Sequence, residues 1–178
     1  MQRSRQIPEQ AMSELDDYLK QHYLNAEQFA SLCGTSVDKL NNLIEGKRVP
    51  APSYVVTPDS IVRSAVFGEM PTPGSIPGAY FHPKNCVWVQ QAIVMEGAQA
   101  LKENFTLGFA SALAALNKNT WQLSDSFADN GDPIPDGLEA RTEAAWQHFL
   151  NGTFGLCVAD PSSARSIARK EVLQEKLT

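Results

Sequence analysis

The chain has 178 residues, 43% of them hydrophobic and 20% charged, with a formal net charge of −5. That balance excludes a disordered chain, and the length suits one compact domain, or a small module packed on a larger one, with a core that needs no metal or disulfide staple. Residues 1–63 carry seven Lys/Arg against eight acids and the remainder eight against twelve, so no basic field draws the whole chain onto nucleic acid or an anionic membrane.

The segment Met1 to Pro8 has charge but no apolar run, unlike a secretory signal, and the expected location is the cytoplasm. No stretch approaches the ~20 apolar residues of a membrane helix. The most apolar one, Val87 to Leu116, is interrupted by Glu96, Lys102 and Glu103. Cys33, Cys86 and Cys157 are odd in number and far apart, which predicts reduced, mostly buried thiols.

In chain order, Ser13 opens a helix with Leu15, Tyr18 and Leu19 inward. Asn25-Ala-Glu-Gln28 has the form of a capping box and starts a second helix through Phe29, Ala30 and Cys33. Gly34 ends it, and Thr35-Ser36 caps a third helix with Val37, Leu40, Leu43 and Ile44 inward. The spacing of Ala30, Gly34 and Leu40 is that of a helix-turn-helix: a small residue for close approach, a glycine for the turn, an apolar residue to lock the second helix onto the first.

The continuation, Ile44-Glu-Gly-Lys-Arg-Val-Pro-Ala-Pro-Ser-Tyr-Val-Val56, resembles the helix-to-wing passage of MerR-type and excisionase-type winged helix-turn-helix proteins. The resemblance implies that the third helix enters the major groove while a small wing touches the backbone. By position, the face would be Ser36, Asp38, Lys39, Asn42 and Glu45, with Lys47 and Arg48 beside the wing. Ser36, Lys39, Asn42, Lys47 and Arg48 are therefore the candidate DNA- or partner-contacting residues, and two-fold binding of successive grooves would require a homodimer. Asp38 and Glu45 fit poorly against phosphates, and the plainer alternative is a packing or protein-docking unit.

Gly68 to Pro83, rich in Pro and Gly, prevents regular helix and reads as an extended connector. Asn85 then caps a helix with Val87, Trp88, Ala92 and Met95 on one side. Gly97 weakens it, and a further helix carries Phe105, Phe109, Ala112, Leu113 and Leu116. Asn117 to Gly137 reads as a surface loop. Leu138 to Leu150 is amphipathic and ends at Asn151-Gly152, and Asp160-Pro161 opens a last helix running to the end. The segments Ala-Pro-Ser-Tyr-Val-Val56, Phe67-Gly68-Glu69, Tyr80-Phe-His-Pro83 and His148-Phe-Leu-Asn-Gly-Thr-Phe-Gly-Leu-Cys157 together resemble an uncharacterised bacterial family labelled natural-product biosynthesis proteins. That resemblance implies a setting in specialised metabolism and no mechanism.

The candidate chemistry is sparse. A chain reversal at Asn151 to Gly155 would bring His148 and Cys157 within reach, the pairing that makes a nucleophilic thiolate. A helix-terminal His beside a buried Cys is the plainer account. His82 with Cys86, and His148 with Cys157, match no structural zinc spacing. Asp125, Asp129, Asp132 and Asp136 crowd one loop, but aligning an EF-hand on Gly131 leaves non-acidic residues at the ligand positions. No metal and no cofactor is expected.

The sequence therefore predicts a mainly α protein: a helix-turn-helix module with a possible small wing over residues 1–63, a connector over 64–84, and a helical bundle over 85–178. The expected function is that of a non-catalytic accessory or regulatory protein of a specialised-metabolite pathway, acting on DNA or a partner protein. The alternative is a small biosynthetic enzyme with a pocket between the two parts, using His148 and Cys157.

Overall fold

The structure, a computed structural model, describes residues 13–118 and 120–178; the Met1 to Pro8 reading falls outside them. Helix α1 (Ser13–His22) leads into a two-residue strand β1 (Leu24–Asn25). Asn25 then caps α2 (Ala26–Leu32) reciprocally with Gln28: each side chain accepts from the other's backbone N–H, at 2.9 and 3.1 Å. Gly34 takes φ +73°, and the Thr35 N–H closes the turn on the Ala30 carbonyl at 2.9 Å. Ser36 caps α3 (Val37–Glu45), whose Leu40 and Leu43 are buried with Phe29 and Ala30 of α2.

The mainly α expectation is wrong: the fold is α+β. Strands β2 (Tyr54–Val56), β3 (Ile61–Ser64), β4 (Gly68–Pro71) and β5 (Gly78–Phe81) join β1 in one antiparallel sheet of order β1-β5-β2-β3-β4. The expected connector thus carries two strands. Its prolines exclude helix but not sheet, since Pro71 closes an edge strand, where a missing N–H is tolerated. The all-helical expectation also fails because these strands hardly alternate. Both faces of the sheet's centre are covered, so adjacent residues of one strand are buried on opposite sides. Val56, Val62 and Tyr80 pack with Leu19 of α1 and with Tyr23 just after it, while Phe81 stacks on Phe29 at 4.5 Å on the other face.

A 3-10 turn over Pro83–Asn85 leads into α4 (Cys86–Val94), and Gly97 at φ +88° separates it from α5 (Ala98–Leu116). Helix α6 (Pro135–Leu150), the short α7 (Phe154–Cys157) and α8 (Ala164–Leu177) complete the chain. Trp88, Phe105, Trp146 and Phe149 knot α4, α5 and α6 together, with Phe149 at 4.7–5.1 Å from each of the other three. Asn85 makes no capping bond with its side chain and is buried instead. Asp160-Pro161 does not open α8 either: Asp160 accepts from the Ser162 N–H in a turn, and Ser163 is the cap.

Phe29, Leu40, Phe81, Phe105 and Val172 belong to one continuous core spanning the early and late parts of the chain. The seam is tight. The Ala51 N–H donates to the Leu150 carbonyl at 2.9 Å, and a Cβ on Gly152 would stand 2.8 Å from the carbonyl oxygens of Ala51 and Pro52. A Cβ on Gly155 would likewise meet Ser53 Oγ.

Candidate functional site

Helix α3 presents Asp38, Lys39, Asn42 and Glu45 to solvent; Ser36 is exposed too, but its hydroxyl accepts from the Lys39 N–H as the helix cap. The helix ends in a Schellman arrangement, with the Arg48 N–H on the Leu43 carbonyl (3.0 Å) and the Lys47 N–H on the Ile44 carbonyl (3.1 Å). The position that favours glycine there is held by Lys47, at φ +57° and exposed. Arg48 is not free for a partner. Its guanidinium donates to the Met95 carbonyl at 3.3 Å, and its buried Nε has no hydrogen-bond partner, so it ties α3 to the end of α4. The exposed cations of this surface are Lys39 and Lys47, offset by Asp38 and Glu45.

The β3–β4 hairpin follows. Arg63 lies opposite Glu69 and is ion-paired with it at 2.7 Å on one face. Val62 lies opposite Met70 on the other. Val62 is covered by the α1-side core, whereas Met70, on the free edge strand, is 53% exposed. In the turn Val66 and Phe67 are 48% and 61% exposed. The sequence offered one signal for this edge: Val66-Phe67 sits immediately before Gly68, where a turn ordinarily takes polar residues.

His148 and Cys157 are not brought together in one site. His148 is exposed at the end of α6, edge-on to Phe154 at 6.1 Å. Cys157 instead lines a recess of about 330 Å³ with His22, His82 and Tyr23. His82 Nδ1 accepts from the Lys84 N–H at 3.1 Å; burial, then the Lys84 charge, disfavours its imidazolium. Burial also pushes the Cys157 thiol up. Both effects favour neutral thiol and neutral imidazole, the opposite of the ion pair a cysteine nucleophile needs. Burial raises Tyr23 in the same recess, whose hydroxyl faces the Gly155 carbonyl at 3.5 Å. Among the described residues no three His, Cys, Asp or Glu side chains gather as a metal site, so His82 and Cys86 belong to none. In the acidic loop Asp125 is held by two bonds from Arg141 at 2.8 and 2.9 Å, and Asn130 pairs with Asp132 in a local turn.

Residues 101–178, covering most of α5 and all of α6 to α8, match a family of unknown function (DUF6058). No curated protein and no solved structure matches the chain. Neither a MerR-type nor a natural-product biosynthesis family is among the matches. Among the described residues no helix is long and apolar enough to cross a membrane.

Proposed function

We propose that the protein is a non-catalytic accessory protein that docks a partner protein through the free edge of its sheet. The observation that carries this is the hairpin edge, where Val66, Phe67 and Met70 stand in solvent while Arg63 is neutralised by Glu69. An apolar edge beside an unpaired strand suits strand addition or side-chain docking by another polypeptide. It does not suit a duplex, whose affinity comes from cations on phosphates. Lys39 on α3 and Lys47 just past its end correspond to a salt slope of only about −2 per protomer, and Asp38 and Glu45 oppose even that.

A photo-reactive aromatic placed at Phe67 in the producing cell tests this. The expected result is a discrete protein adduct, absent for the same group at the exposed Glu103 and lost on Met70→Asp. An adduct of twice the chain mass would identify the partner as a second copy. No adduct, together with duplex retention at low salt that depends on Lys39 and Lys47, would replace protein docking by DNA contact.

A further inference from the structure

Helices α5 and α8 pack along each other more extensively than any other pair of elements. They nearly touch at one end, where a Cβ on Gly108 would lie 3.3 Å from Ala164 Cβ. Beyond that point the seam opens into a groove of about 660 Å³, within the size range of small-molecule sites. The opening has a simple cause. On α5 the floor is Gly108, Ser111, Ala112 and Ala115, one helical stripe whose side chains barely extend past Cβ, with the larger Leu116 at the end of the helix. From α8 the wall is formed by Arg165, Arg169 and Leu173, again one stripe.

The charges of the groove are unbalanced. Arg165 and Arg169 stand one turn apart and repel each other. Lys118 adds a third cation at the Trp121 end. The Trp121 backbone N–H donates to the Lys118 backbone carbonyl at 2.8 Å, which holds these two residues together at the groove mouth. No carboxylate lines the groove, and among the described residues none pairs with these three cations. The acids of α8 are engaged elsewhere: Glu175 is ion-paired with Arg141 at 2.6 Å, and Glu171 lies on the Cys157 side.

We propose that this groove binds a small organic phosphate, with the phosphate between Arg165 and Arg169 and an apolar or aromatic body along the small-residue floor against Trp121. Two guanidiniums and an ammonium match a phosphate monoester dianion better than a single carboxylate, and arginine forks bind phosphate oxygens bidentately. The half-buried indole offers the planar surface for the body.

The test is a titration of the full chain followed by the indole N–H signals in NMR, with the Trp121 signal assigned from Trp121→Phe. Trp88 and Trp146 are core residues and act as internal controls. Phenyl phosphate is expected to shift the Trp121 signal saturably and to bind more tightly than inorganic phosphate or benzoate, with phenol inert. Arg165→Ala and Arg169→Ala should each weaken phenyl phosphate about tenfold, and since both side chains are exposed the melting temperature should hold. Ala115→Phe fills the floor without touching a charge. It should weaken phenyl phosphate and spare inorganic phosphate. Benzoate or phenol binding as tightly as phenyl phosphate, or binding unchanged in the double arginine variant or in Ala115→Phe, would overturn the assignment.

Discussion

Gly152→Ala measures the seam that joins the early and late parts of the chain. Gly152 holds φ +85°, which costs an L-residue about 1 kcal/mol. The added Cβ would also stand 2.8 Å from two backbone carbonyl oxygens, Ala51 and Pro52. Neither can rotate away, so residues 51–52 must retreat from the α6–α7 turn and strain the 2.9 Å bond from the Ala51 N–H to Leu150. Overpacking of that kind costs about 2 kcal/mol more. The total of about 3 kcal/mol lowers the melting temperature by roughly 6–12 °C in a chain of this size. The control is Gly34→Ala, with φ +73° in the same kind of helix-closing turn, Thr35 N–H on the Ala30 carbonyl as Thr153 N–H is on that of His148, and nothing within 4 Å of its Cβ. It shares the backbone cost and the change in unfolded-chain entropy, so about 1 kcal/mol, or roughly 2–4 °C, is expected. Thermal melts by circular dichroism on both variants read the difference directly. Equal shifts would refute a tight seam and leave only the backbone term.

Lys47→Gly should stabilise the fold by about 1 kcal/mol, because it places glycine at the left-handed closing position of α3; a chemical denaturation midpoint that fell instead would show that the lysine side chain holds the helix end. In native protein a maleimide should label Cys157 alone. Cys33 and Cys86 are buried, and burial pushes the Cys33 thiol up to about 12, so both should react only after denaturation. Arg141→Met should flatten the acid limb of the stability profile. Hydrogen bonds from Arg141 hold Glu175 below the usual carboxylate range, and for Asp125 they outweigh the opposing effect of burial. A lowered carboxylate pKa stabilises above the unfolded value of about 4, and that stability is lost as pH falls through the folded one. Both carboxylates are substantially exposed, so the neutral-pH cost should be only about 1 kcal/mol. An acid limb unchanged from the parent chain would show that other groups carry it.

Much of the chain was readable where the controlling interaction lies within a few residues. The Asn25–Gln28 box, the Gly34 turn, the Ser36 cap and the Asn151-Gly152 stop depend on neighbours one to five positions away. The same locality misplaced the start of α8, since Asp160 and Ser163 offer rival caps and only packing chooses between them. The sheet was not readable, because its strands are two to four residues long and are defined by partners such as Leu24 with Phe81, far apart in the chain. His148 and Cys157 are close in sequence, yet His148 stands exposed at the end of α6 while Cys157 lines a recess with His82, which comes from the early part of the chain. Arg48 looked like a surface cation, yet the end of α4 captures it. Local hydrogen bonds and backbone preferences are written in adjacent residues. Which strand finds which neighbour, and which charge is left facing a groove, depends on long-range burial, and only the tertiary structure decides it.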